Sequence, residues 1–203
     1  MEYDLTQMPS SDGYRLLTSL IVPRPIAWVS SISEEGVVNA APYSFFNILG
    51  SNPPIVAIGV GNRKEGDPKD TAANILFAGE FVVNLVDEAT AEAMNITAIE
   101  FPAEAGELAE AGLTAAPSSA IRVPRIAESP VNLECRLAEV VQIGANRVLF
   151  GEILHVHVRD GETPETLRQI GRMGGGGGYT RTTDRFQMPR IPLSEWQHRP
   201  SSP

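Results

Sequence analysis

Short apolar runs rich in β-branched and aromatic residues recur along the whole chain, at 26–32, 55–60, 80–86, 131–141 and 147–158, separated by Gly, Pro and Asn. Each has strand length and a composition suited to a pleated, half-buried surface. Helical patterning is confined to 68–78, an alanine-rich stretch at 88–99, 104–111 and 164–170. The strands do not alternate regularly with helices, which argues against a doubly wound parallel sheet. The pattern predicts a mainly β fold, a closed or nearly closed antiparallel barrel with a few helices on its outside.

At 203 residues, with 42% hydrophobic and 20% charged, the chain has a globular composition and the length for one domain rather than two. That domain is expected over 15–188, after an N-terminal extension at 1–14 and before an extended tail at 189–203 that holds Trp196 and His198 among prolines. No apolar run approaches the roughly 20 residues that cross a bilayer. The opening MEYDLTQMPS has neither the basic nor the apolar part of a secretory signal, so a cytoplasmic protein is expected. A net charge of −9 opposes binding to nucleic acid or an anionic membrane. Between Asp87 and Glu110 lie seven acidic residues and no basic ones, which reads as a solvated helical cover.

Motifs of the common catalytic classes are absent: there is no GxSxG, no HExxH, no Walker loop and no GxGxxG between a strand and a helix. Cys135 is the single cysteine, and its place in the run 131–137 reads as a buried strand position rather than a reactive thiol. His155 and His157 share one face of a strand. Without a third ligand in view they read as its less apolar side rather than the start of a metal site, and no metal is expected. Asp67-Pro68 reads as an N-cap and first helical residue. The amides around 69–71 would then be unpaired donors beside the Lys69 ammonium and the Thr71 hydroxyl. That combination suits a phosphate; an ordinary capped helix with a solvent lysine is the alternative.

The preceding segment decides between them. Arg24-Pro25-Ile26-Ala27-Trp28-Val29-Ser30-Ser31 leads through Glu35-Gly36 into Asn39-Ala40-Ala41-Pro42-Tyr43-Ser44-Phe45-Phe46-Asn47, and Asn52-Pro53-Pro54 opens the next strand. There follow Lys69-Asp70-Thr71-(x2)-Asn74, Glu80-Phe81-Val82-Val83-Asn84-Leu85, Ala111-Gly112-Leu113-Thr114, Pro124-Arg125-Ile126, Glu128-Ser129-Pro130, Leu133-Glu134-Cys135 and Gly171-Arg172-Met173-Gly174. In this ordered combination, over roughly residues 15–190, the sequence resembles the flavin reductase-like family of FMN-binding split barrels, which includes flavoredoxin-type proteins and NAD(P)H:flavin oxidoreductases.

The resemblance implies a six-stranded antiparallel split β-barrel of Greek-key type that holds FMN non-covalently near a homodimer interface. Carried over residue by residue, Trp28, Val29, Ser30 and Ser31 would form the strand beside the flavin. Ala41, Pro42, Tyr43, Ser44, Phe45 and Asn47 would touch the isoalloxazine ring and ribityl chain. Lys69, Asp70 and Thr71 would meet the phosphate, and Arg172 and Tyr179 would lie near the mouth of the site. The implied activity is hydride transfer from NAD(P)H to the flavin and electrons onward, a partner monooxygenase being one destination. The flavin would carry the chemistry, so no side chain need be an acid, base or nucleophile. A non-enzymatic electron carrier, flavin store or sensor would use the same contacts and is the alternative. The five-glycine run 174–178 departs from the family, where a shorter glycine pair precedes aromatics.

Overall fold

The computed structural model describes residues 1–63, 67–101 and 106–197. Lys64, Glu65 and Gly66 of the expected phosphate loop, Glu104 at the head of an expected helix and His198 of the tail lie outside the described residues. The chain opens with α1 (Ser10–Leu20), then forms β1 (Ala27–Ile32), β2 (Val38–Tyr43), β3 (Phe46–Ser51) and β4 (Pro54–Val60). Helix α2 (Asp70–Ala78) leads into β5 (Glu80–Asn84), and α3 (Ala91–Ile96) and α4 (Glu107–Glu110) precede the two-residue strands β6 (Ala115–Ala116) and β7 (Arg125–Ile126). The long strands β8 (Val131–Ile143) and β9 (Asn146–Val158) follow, then the hairpin β10 (Ile170–Met173) and β11 (Gly178–Arg181), and a last turn α5 (Leu193–Gln197).

Seven strands form one antiparallel sheet in the order β2-β1-β5-β8-β9-β4-β3. Its outermost strands, β2 and β3, are separated in sequence only by Ser44 and Phe45. Three Cα–Cα steps of about 3.8 Å cannot hold Tyr43 and Phe46 more than about 11 Å apart. The sheet must therefore curl until its two edges nearly meet, which makes a barrel split along one seam. The seam is secured from both sides. Arg24 Nε donates to Ser44 Oγ at 3.3 Å, and the Gly59 amide donates to the Phe45 carbonyl at 2.7 Å. The sheet has seven strands rather than the expected six because 38–43 and 46–51, rich in Asn, Pro and Ser, are themselves strands. Pro42 fits because β2 is an edge strand, where a missing N–H costs no ladder bond.

Strand β1 is buried on both faces, and this explains its nearly continuous apolar run. Ala27 and Val29 face the barrel interior with Val56, Ile58, Ile75, Phe81, Val83, Cys135 and Leu149. Ile26 and Trp28 face an outer layer of Ala40, Val86, Met94, Leu108, Ile126 and Ile170. Gly151 in β9 makes room for a core ring: a Cβ there would lie 2.3 Å from Phe81 Cζ.

Helix α2 starts at Asp70 rather than Pro68. Arg63 N–H donates to the Asp67 carbonyl at 2.8 Å and Asn62 bridges Pro68, which holds this stretch extended up to Lys69 at ψ 154°. The expected helix at 164–170 is replaced by turns. The Thr166 hydroxyl takes the Thr163 amide, and Ile170 N–H donates to Val86 O, drawing the segment into a strand. Helix α1 was not expected and runs across the boundary placed at residue 14, and α5 forms a helical turn where an extended tail was expected.

Candidate functional site

Where β2 passes the head of α2, the fold leaves a cleft of about 710 Å³. Ala41, Pro42 and Tyr43 line one wall, and Arg63, Lys69, Asp70 and Thr71 line another. The segment 97–101 after α3 and Glu107 of α4 complete it. Asp70 is neutralised by Arg63, whose Nη2 lies 2.5 Å from its carboxylate. Among the described residues Lys69 has no carboxylate partner, so one positive charge is unspent here. The first turn of α2 has no side-chain cap, and amides at that position have no carbonyl one turn back to meet.

A buried chain of polar groups forms the floor. Thr71 Oγ1 donates to Asn39 Oδ1 at 2.9 Å, and Asn39 Nδ2 donates to Glu107 Oε1 at 2.7 Å. Ser31 joins at its back, donating to Asn39 Oδ1 at 3.4 Å and accepting from Asn74 Nδ2 at 3.2 Å. Burial pushes the Glu107 carboxyl up against the pull of its own amide, Asn39 and the Ala40 amide, and the nearby Asp70 charge adds a smaller push in the same direction as burial. Burial likewise lifts the Tyr43 hydroxyl to about 12 against the pull of Thr71, with Asp70 and Glu107 reinforcing the rise, so Tyr43 keeps its proton at neutral pH.

Of the residues singled out in the sequence, Ala41, Pro42, Tyr43, Lys69, Asp70 and Thr71 come together in this cleft. Trp28 and Val29 are core, with Trp28 Nε1 donating to Thr97 Oγ1 at 2.9 Å. Ser30 is buried and donates to the Pro124 carbonyl at 2.7 Å. Phe45 and Asn47 lie at the seam, where they line a second hollow with Leu49 and Val148. Ser44 joins them through Arg24, a buried side chain that also donates to the carbonyls of Thr18, Ile21 and Gly174. Arg172 stacks over the Tyr179 ring at 4.7 Å on the glycine-rich hairpin, which Arg24 thereby ties to the seam. Asn39, Arg63, 97–101 and Glu107 are the cleft residues that sequence reasoning did not assign to a site. The reading of 87–110 as solvated fails at two of its described acidic residues. Glu107 is buried in the cleft wall, and buried Asp87 accepts from Arg159 Nη2 at 2.9 Å across the fold.

His155 and His157 occupy the polar side of β9 as expected, and His157 has a partner there. Glu134 of β8 is fully buried, and its Oε1 lies 2.5 Å from His157 Nε2 and accepts from the Ser119 amide at 2.7 Å. Its Oε2 accepts from the Ala120 amide at 2.6 Å. Burial works to raise this carboxyl, but the Ser119 amide, His157 and the Ala120 amide outweigh it and hold it below the usual range. Cys135 is a core residue whose thiol burial lifts to about 12.

A curled antiparallel sheet with one seam and a polar cleft beside its β2 edge defines a split-barrel protein. The family model for the flavin reductase like domain matches residues 19–176, and the chain belongs to that family. An uncharacterized protein of Deinococcus radiodurans is 43% identical over 208 residues, covering 96% of this chain and 92% of the relative. Among solved structures, nitrilotriacetate monooxygenase component B from Bacillus cereus is 34% identical with a TM-score of 0.88, over 93% of this chain and 98% of that one. The 2-nitrobenzoate 2-nitroreductase NbaA of Pseudomonas fluorescens is 33% identical with a TM-score of 0.86, over the whole of both chains.

Proposed function

We propose that this chain binds FMN in the cleft between β2 and α2 and is an NAD(P)H-dependent flavin oxidoreductase that works as a homodimer. The cleft itself carries the reading. Its volume of about 710 Å³ lies in the range of small-molecule sites. The residues present fit the group: Lys69 and the uncapped first turn of α2 suit a phosphate, the polar Asn39 side of the floor suits ribityl hydroxyls, and the Ala41–Tyr43 wall offers backbone edges to a ring. When bound, FMN supplies the two-electron chemistry of accepting hydride from the nicotinamide and passing electrons on. The side chains bind and orient; Tyr43 keeps its hydroxyl proton, and Asp70 stays paired with Arg63.

The sequence has no Rossmann fingerprint, so the nicotinamide is expected to meet the flavin face directly. The names of the two solved relatives support an acceptor outside the chain: one is a monooxygenase component and the other a nitroreductase. We take a partner monooxygenase as the first acceptor to test. Titration of FMN with the protein should quench flavin fluorescence, and anaerobic mixing of the loaded protein with NADH or NADPH should bleach the flavin rapidly. Absence of quenching removes FMN from the reading. Tight binding with an unchanged spectrum for both nucleotides makes the chain a carrier instead.

A further inference from the structure

Among the described residues, Glu107 Oε2 is the buried side-chain polar atom left without a hydrogen-bond partner. Glu107 is only 7% exposed and lines the cleft beside Lys69 and Thr71. Its other oxygen is already engaged by Asn39, and Asn39 is in turn held by Thr71. An unmade bond at a buried carboxyl is costly, and a native fold that retains one calls for an explanation in what the site does.

The charges facing it come from several elements. Lys69 and Asp70 lie at the head of α2, with Arg63 paired to Asp70; Tyr43 lies on β2, Glu100 on the segment after α3, and exposed Glu110 on its own helix. Burial and the Asp70 charge favour the neutral carboxyl and outweigh its own amide, Asn39 and the Ala40 amide, which favour the ionised form. Because Oε1 accepts from Asn39, the proton of the neutral form belongs on Oε2, where it meets no acceptor among the described residues.

We propose that Glu107 is a ligand-contact residue of the cleft, whose Oε2–H donates a hydrogen bond to a phosphate oxygen of the bound cofactor while Asn39, braced by Thr71, sets the carboxyl's orientation. This rests on the FMN reading above and adds to it a residue and a protonation state. Oε2 is covered, so the contact needs a small turn of the soft terminal torsion of Glu107. Ionised Glu107 would instead place a negative charge against the phosphate, and binding should weaken as pH rises.

Fluorescence titrations of FMN and riboflavin, from about pH 5 to about pH 9, test this with wild type, Glu107→Gln and Glu107→Ala. The second ionisation of the phosphate lies near about pH 6 and is common to all three proteins, so the variants isolate Glu107. Wild-type affinity for FMN should fall relative to that of Glu107→Gln as the Glu107 carboxyl ionises with rising pH, while riboflavin affinity changes little. Glu107→Gln donates from its amide at every pH, so it should bind FMN within about threefold of wild type at the acid end, without the fall. Glu107→Ala should bind FMN roughly tenfold to a hundredfold more weakly, with riboflavin nearly unaffected. If all three proteins bind FMN alike at every pH, the assignment of Glu107 is overturned and the FMN reading stands. If wild type binds no FMN, both fall. If Glu107→Ala does not fold, as judged by circular dichroism, the pH slope of Glu107→Gln against wild type decides.

Discussion

At the scale of single residues, charge and burial separate the side chains that hold a ligand from those that hold the fold. Lys69 brings an ammonium with no carboxylate partner among the described residues, so Lys69→Ala should weaken FMN roughly tenfold to a hundredfold and leave riboflavin, which has no phosphate, nearly unchanged. Calorimetric titration of both ligands checks this, and equal losses would mean that Lys69 acts through the fold. Thr71 is different: its one hydroxyl hydrogen is committed to Asn39, so its side chain serves the floor of the cleft rather than offering a donor to the phosphate. Cys135, enclosed in the core with its thiol lifted to about 12, should resist a disulfide reagent in the native protein and react once per chain in urea. Reaction at native conditions would contradict its burial. The burial of Cys135 was legible because it depends on the local apolar run of β8. That of Glu107 was not, because its surroundings come from β2, α2 and the segment after α3, and the acidic stretch around it has the composition of a solvated surface.

At the scale of elements, the Glu134 carboxylate fastens the connection between β6 and β7 onto the sheet through two amides and a histidine. Glu134→Gln replaces an acceptor with a donor facing an amide and removes the charge beside His157, which should cost roughly 3 kcal/mol in denaturant unfolding near neutral pH. The sign of the pH effect follows from the lowered carboxyl. The stabilisation is fully present above its ordinary value of 4.5 and is lost as pH falls through the lower folded value. The stability gap between wild type and Glu134→Gln should therefore close in acid; a constant gap would show that the charge is not responsible. Asp4, Glu88, Glu162 and Glu165 also lie low but are shared by both proteins and cancel in the difference. The five strands with continuous β-rich runs were legible at this scale. Strands β2 and β3 were not, since Asn, Pro and Ser interrupt them and the edge pairing that shapes them is non-local.

At the scale of the whole molecule, the resemblance carried the barrel architecture, because ordered motifs report a topology that local propensity cannot. Exposed apolar side chains cluster on one side of it: Tyr14 and Leu17 of α1 lie by Phe45, whose ring is 6.1 Å from that of Tyr14, and Leu49 of β3 lines a hollow with Phe45. Such a patch on a small domain fits cover by a second copy. Sedimentation equilibrium should give a dimer, and Leu49→Lys should shift it toward monomer at micromolar concentration while circular dichroism stays unchanged. A monomeric wild type that still binds FMN tightly would remove the dimer from the reading.

The two-residue link at Ser44 and Phe45 has a consequence for solubility. An open sheet offers two rows of unsatisfied backbone groups to any neighbouring strand. Here a short covalent tether brings both rows to one narrow gap, where β2 and β3 shield each other without sharing a ladder. Cleavage of the chain between Ser44 and Phe45 would break none of the strand pairings within the sheet, yet it would release both edges at once. The nicked protein should keep its far-ultraviolet spectrum and lose its colloidal stability, growing by edge-to-edge strand addition into soluble aggregates that the intact chain does not form.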